Sequence, residues 1–219
     1  MSILIADDHP LFREALTRAV ASALPQSTIH QADSVPALLT AVEQHPDIDL
    51  ILLDLTMPGA EGFSALIHLR AHHPTLPVLV VSAREEPALM RRALAHGAAG
   101  FVPKSAPVET LAEALQQVLE GERWTPPGLD RQGEVEPDEL AFGRRIAELT
   151  PQQFRVLGMV GTGLLNKQIA YELAVSEATI KAHMTAIMRK LGAHSRTQVA
   201  VLVSRLGLDN EARLESPVD

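Results

Sequence analysis

The 219-residue sequence predicts a doubly wound α/β domain on a parallel sheet, followed by a small all-α domain of four helices. Three observations predict it. Short uninterrupted runs of Val, Ile and Leu recur, as expected of strands buried on both faces of a parallel sheet. Between them, apolar residues fall at three-to-four spacing, the pattern of helices that cover such a sheet. Beyond residue 148 the strand-like runs cease and only helical patterns continue.

The strands are expected at Ile3 to Ala6, Ile29 to Gln31, Asp49 to Leu53, Pro77 to Ser82 and Gly100 to Val102. Leu11 to Leu24 and Val35 to Gln44 read as helices; in the first, Leu11, Ala15, Leu16, Ala19 and Val20 share a face. From Gly121 the texture changes to Trp124-Thr125-Pro126-Pro127-Gly128, then acids and glycines up to Glu136. Adjacent prolines and a glycine interrupt any helix, so this reads as a linker. Pro137-Asp138-Glu139-Leu140 has the form of a helical first turn, with proline where its missing N–H costs nothing and acids near the positive dipole end. That helix is expected to act as a tether. In the helical region, Ser176 is a good N-cap for a helix that runs to Leu191, where Gly192 ends it. Ile180, Met184, Ile187 and Leu191 fall on its inner face; Lys181, Ala182, Thr185 and Arg189 are left for a partner. With Asn166 to Ala174 before it and the turn Ala174-Val175-Ser176, the pair has the form of a helix-turn-helix whose second helix enters a major groove.

The chain has no cysteine, which excludes a disulfide framework. No run reaches the roughly 18 apolar residues of a membrane span, and the opening strand with its two acids is unlike a signal peptide. A soluble cytoplasmic protein is expected. The net charge of −8 hides a division: residues 1–123 carry −7 and residues 149–205 carry +5. A locally basic module is the footprint of a phosphate-backbone partner.

Polar residues follow the strands: Asp7 and Asp8, Asp54, Ser82 and Lys104. In open parallel sheets ligands bind outside the carboxyl ends of the strands, so neighbouring strands would bring these groups into one crevice. Clustered carboxylates raise one another's pKa unless a cation balances them, and hard oxygen donors with room for water favour Mg²⁺. A carboxylate beside Mg²⁺ can act as nucleophile toward a phosphoryl group whose oxygens Lys104 would stabilise, giving an aspartyl phosphate on Asp54.

The motifs Ala6-Asp7-Asp8-His9-Pro10-Leu11-Phe12-Arg13, Leu53-Asp54-Leu55-Thr56-Met57-Pro58-Gly59, Val81-Ser82-Ala83 and Gly97 to Ser105 resemble the receiver domain of two-component response regulators of the NarL/FixJ class. The resemblance implies strand order 2-1-3-4-5 and phosphorylation of Asp54 by a sensor histidine kinase. It implies direct Mg²⁺ binding by Asp8, Asp54 and the Thr56 carbonyl, with Asp7 helping through water. Lys104 would bind the phosphoryl group, while Ser82 and Phe101 form a switch pair that turns inward. Thr56 and Arg84 would flank the path of an attacking water.

The helical region, from Leu149-Thr150-Pro151 to Ser195-Arg196-Thr197-Gln198, resembles the LuxR-type DNA-binding domain. By that resemblance Lys181, Ala182 and Thr185 face base edges, Lys167 and Thr179 are candidates for phosphate contacts, and Arg189 lies on the same free face. Leu202 would belong to a homodimer formed on phosphorylation or on double-stranded DNA with two half-sites. The expected layout is a receiver at 1–122, a linker with a short helix at 123–147, the DNA-binding domain at 148–206 and a disordered acidic tail at 207–219. Two departures stand out. A hydroxyl-and-Glu capping box is replaced by Leu165 and Gln168, which leaves Asn166 as the candidate cap one residue later, and an Arg-Glu pair is replaced by Gln152-Gln153. Each lost cation is expected to flatten the salt dependence of DNA binding.

Two other readings compete with this regulator, whose receiver catalyses only its own phosphotransfer and dephosphorylation. A Mg²⁺-dependent phosphatase with an aspartyl nucleophile would carry an acid two residues later, where Thr56 stands. A constitutive DNA-binding protein would use the first domain only as a dimerisation scaffold. Opposite charges suggest that the acidic domain covers Lys181 before phosphorylation. His9 reads as a helix-start residue, His183 as packed, and the other histidines, His72-His73 included, as surface.

Overall fold

The computed structural model describes residues 1–58, 62–129 and 137–204, and the acidic stretch 207–219 lies outside them. The first part alternates β1 (Ser2–Ala6), α1 (Pro10–Ala23), β2 (Thr28–Ala32), α2 (Val35–Gln44), β3 (Leu50–Leu53), α3 (Ser64–His72), β4 (Val78–Ser82), α4 (Pro87–Ala95), β5 (Gly100–Pro103) and α5 (Val108–Leu119). All strand pairs are parallel, in the order β2-β1-β3-β4-β5. Side chains alternate across a strand, so β1 feeds two cores. Ile3 and Ile5 pack with α1 and α5, while Leu4 and Ala6 pack with α2, α3 and α4.

The sheet's far edge tolerates no side chain at residue 100. Trp124 donates its N–H to the Ala99 carbonyl at 3.0 Å, and a Cβ on Gly100 would lie 2.8 Å from both the Trp124 carbonyl oxygen and Leu79 Cδ1. Gly100→Ala is therefore expected to cost about 1–3 kcal/mol through overpacking, read as a lower urea midpoint with an unchanged slope.

The remaining elements are α6 (Pro137–Ala147), α7 (Pro151–Gly161), α8 (Asn166–Glu172), α9 (Glu177–Leu191) and α10 (Arg196–Ser204). The expected first turn at Pro137 does open a helix, and this helix is docked on the sheet domain. Phe142 and Ile146 are buried in the core that covers α3, and Gly143 lets α6 approach Ile67 and His96. Glu139 also takes both Arg92 Nε at 3.0 Å and His96 Nε2 at 2.7 Å. Burial pushes the Glu139 carboxyl up, but hydrogen bonds from His96 and Arg92 and their charges outweigh it and hold the group below the usual range.

Helix α7 meets the sheet domain directly. Phe154 stacks on His68 at 4.1 Å, and Arg155 Nη2 reaches Glu43 Oε2 at 2.9 Å. This overturns the surface reading of His68: its ring is buried between Phe154 and His72, whose ring lies at 4.1 Å, and its Nδ1 has no hydrogen bond. Burial, with the charges of His72 and His73, lowers its pKa to about 3.

Candidate functional site

Register places the chemistry. Ala6 lies opposite Leu53, Leu53 opposite Val80 and Ser82 opposite Pro103, so the residues that follow β1, β3 and β5 leave the sheet together beside Ser82. Backbone bonds fix the exits: Asp54 N–H donates to the Ala6 carbonyl at 2.9 Å and Lys104 N–H to the Ser82 carbonyl at 2.7 Å.

The acids converge as their strand-end positions predict. Lys104 Nζ stands 2.6 Å from Asp7 Oδ2 and 2.8 Å from Asp54 Oδ2, with both carboxylates buried. Thr56 Oγ1 donates to Asp54 Oδ2 at 2.8 Å, and its backbone N–H points to Oδ1 at 3.3 Å. Asp8 sits at the mouth, a quarter exposed. Ser82 is fully buried and its Oγ accepts the Arg84 N–H at 3.2 Å; Phe101 is fully buried as well.

One lysine cannot balance three carboxylates, so charge favours a further cation. Asp7 Oδ2 and Asp8 Oδ1 are buried without a directed hydrogen bond and meet only the ion pairs with Lys104 and His9. Donor atoms of Asp7, Asp8, His9 and Asp54 all lie within 4.8 Å of one another. Oxygen-rich donors at that spacing fit a hard divalent ion.

Two neighbours escaped the sequence reading. Phe12 presents its ring 4.6 Å from Lys104 Nζ, a cation–π contact, and Arg13 donates to the Asp7 carbonyl oxygen. Their signal was membership of the Ala6 to Arg13 motif, which placed them in the first turn of α1 without giving either a role.

The second site is the free face of α9. Ser176 Oγ accepts the Thr179 N–H at 3.0 Å and Gly192 ends the helix at φ 69°, as the sequence predicts. Ile180, Met184, Ile187 and Leu191 are buried; Lys181, Ala182, Thr185 and Arg189 are exposed, as is Lys167 on α8. Thr179 is half-buried, with Oγ1 2.8 Å from Ser176 Oγ.

Two expectations need correction here. Lys181 is not covered: its side chain is two-thirds exposed and pairs with Glu177, because the sheet domain docks through α7. Asn166 does not cap α8; its Oδ1 accepts from Arg196 Nη1 at 2.9 Å, and Gln168 Oε1 instead takes the Leu165 N–H at 2.8 Å. Gln153 supplies a capping box with Thr150 and also accepts from Lys190 Nζ at 2.8 Å. Leu202 is half-buried against the helical core, and its neighbour Val201 is exposed.

An acidic centre on a doubly wound sheet joined to a basic helix-turn-helix is the build of a phosphorylation-controlled transcription regulator. Residues 3–116 match the response regulator receiver domain and residues 147–203 the bacterial regulatory proteins of the luxR family. The chain is 41% identical over 202 residues to the glycerol metabolism activator of Pseudomonas putida, covering 90% of this chain and 91% of that protein. It is 31% identical over 204 residues to the nitrate/nitrite response regulator protein NarL of Escherichia coli K12, covering 92% and 94%. The solved RcsB response regulator of Salmonella typhimurium shares the fold, with a TM-score of 0.55 and 24% identity over 93% of this chain and 99% of that chain. The chain belongs to the two-component response regulators of the NarL/FixJ type. No helix among the described residues is long and apolar enough to cross a membrane.

Proposed function

We propose that Asp54 is the phosphoacceptor, that a sensor histidine kinase supplies the phosphoryl group, and that the product state favours a homodimer bound to two DNA half-sites in the cytoplasm. The observation that carries this is Lys104 Nζ held between Asp7 and Asp54 at the strand ends. A carboxylate oxygen of Asp54 attacks phosphorus, and the phosphorus–nitrogen bond of the donor phosphohistidine breaks with its electron pair leaving on the imidazole. Lys104 balances charge on the equatorial oxygens, and the Ser82 hydroxyl donates to one of them. Asp8, Asp54 and the Thr56 carbonyl would hold Mg²⁺, with Asp7 acting through water. The bound ion supplies charge neutralisation at the acids and the phosphoryl oxygens. Hydrolysis of the Asp54 acyl phosphate, in which water attacks phosphorus and the phosphorus–oxygen bond to the carboxylate breaks, is the receiver's own reaction, with Thr56 and Arg84 beside the water path; no other turnover is assigned to it.

Residues 1–122 then serve as receiver, 123–147 as coupling segment and 148–206 as DNA-binding unit. Lys181, Ala182 and Thr185 read base edges, while Lys167, Thr179 and Arg189 meet phosphates. The exposure of Lys181 supports control by dimerisation, with Leu202 at the paired surface, rather than by uncovering α9. Identity to an activator supports activation as the direction of control.

Incubation of the intact chain with acetyl phosphate and Mg²⁺, followed by intact-mass measurement, tests the site. One added phosphoryl group on the wild type and none on Asp54→Asn is expected. Equal labelling of the two would refute the assignment.

A further inference from the structure

We propose that His9 is a metal ligand through Nδ1, so that the acidic centre also accepts borderline transition-metal dications of the cobalt and zinc class; this rests on the metal-assisted reading above. His9 immediately precedes α1, and Pro10 holds it in extended backbone at φ −88°, ψ 106°. Its side chain makes no helix cap and turns toward the acids instead.

From the single nitrogen His9 Nδ1, three carboxylates on two strand ends stand close: Asp8 Oδ1 at 2.8 Å, Asp7 Oδ1 at 3.4 Å and Asp54 Oδ2 at 3.9 Å. Donor atoms bound about 2.0–2.2 Å from one ion are separated by about 3 Å along the edges of a tetrahedron or octahedron. The two shorter separations have the length of such edges, and the third exceeds it by less than an ångström. The backbone anchors this placement, because the His9 N–H donates to Asp7 Oδ1 at 2.8 Å.

The buried charge of Asp7 also favours an ion. Asp7 has no exposed surface, yet its Oδ2 receives no directed hydrogen bond and meets only the ammonium of Lys104. Such a carboxylate retains donor capacity inside the crevice.

His9 thus adds one imidazole to the direct oxygen donors of Asp8, Asp54 and the Thr56 carbonyl, with Asp7 beside them. Magnesium binds oxygen donors and keeps its waters, so the imidazole adds little to its affinity. Cobalt and zinc accept imidazole readily, so for them His9 adds a bond. An all-oxygen site would also prefer cobalt to magnesium, so the informative quantity is the change in each affinity when the ring is removed.

The experiment is calorimetric titration of the metal-free full chain with Co²⁺ and, separately, Mg²⁺, for wild type, His9→Ala and Asp8→Asn, with the visible absorption of bound Co²⁺ recorded. His9 is mostly exposed, so its removal leaves the fold intact, and the other histidines are common to every variant. The expected result is that His9→Ala weakens the tightest Co²⁺ site by on the order of tenfold or more and alters its absorption, while Mg²⁺ affinity moves less than about twofold. Parallel losses for both ions, or no loss for either, would overturn the proposal. Tighter binding of both would also overturn it, by showing that the ring acts as a competing cation. If Asp8→Asn weakens Mg²⁺ binding while His9→Ala changes neither ion, only the role of His9 fails. If Asp8→Asn leaves Mg²⁺ binding intact, the metal-assisted reading fails with it.

Discussion

Lys104→Ala is expected to slow phosphorylation of Asp54 by about 10²–10³-fold, the usual effect of removing one donor from a developing oxyanion. It is also expected to weaken the metal-free protein by about 3–5 kcal/mol, because a buried ion pair broken on one side leaves uncompensated charge. Both effects follow from one atom: Nζ lies 2.6 Å from Asp7 and 2.8 Å from Asp54, whose side chains are 0% and 1% exposed. Saturating Mg²⁺ should restore much of the stability, since a dication can balance the same acids, but little of the rate. Urea midpoints with and without Mg²⁺, beside a time course with acetyl phosphate, measure the two separately. A variant as stable as wild type without Mg²⁺ would show that Lys104 does not balance these acids.

Acid should loosen the docking of the two domains before it unfolds either. His68 has a folded pKa of about 3 against an ordinary 6.5, through burial and the charges of His72 and His73. The unfolded or undocked ring therefore binds a proton more readily, so the contribution is fully present above pH 6.5 and is lost as pH falls toward 3. At pH 5 the loss is about 2 kcal/mol for this ring alone. His73 adds in the same direction, its pKa lowered by burial and His72 and raised in part by Glu43. Glu139, also depressed, loses its contribution only below its ordinary 4.5, so the interval from 6.5 to 5 isolates the histidines. His68→Phe, which keeps an aromatic ring against Phe154, should flatten the stability profile across that interval. A variant whose midpoint falls with acid as steeply as wild type would contradict the assignment to His68.

What was legible in the sequence was local. The four strands β1, β3, β4 and β5 are apolar runs ended by a polar residue, so the positions of Asp7, Asp54, Ser82 and Lys104 follow from the pattern itself. The two faces of α9 follow from helical spacing, and Ser176 and Gly192 from the chemistry of helix ends. What was not legible depends on partners far along the chain. His68 stands four residues before His72 in a histidine-rich segment, and only the arrival of Phe154 from α7 buries it. Asn166 has the composition of a cap, yet Arg196 on α10 takes its side chain. The charge split correctly marks an acidic and a basic module, but net charge has no direction, and so it could not show that Arg155 rather than Lys181 faces the acidic domain. The docking of α6 was hidden for the same reason: Glu139 looked like a dipole-favouring acid, and its partners Arg92 and His96 lie on and just after α4.

The central claim is that phosphorylation of Asp54 governs DNA binding through the α9 face. The most direct test is the affinity of the intact protein, in Mg²⁺ with and without acetyl phosphate, for an operator selected from a random DNA pool, alongside Asp54→Asn and Lys181→Ala. The account predicts tighter binding with dimer formation when the donor is present, no response in Asp54→Asn, and weak binding by Lys181→Ala in both conditions. Equal affinity of wild type with and without the donor, at full phosphorylation by mass, would contradict it.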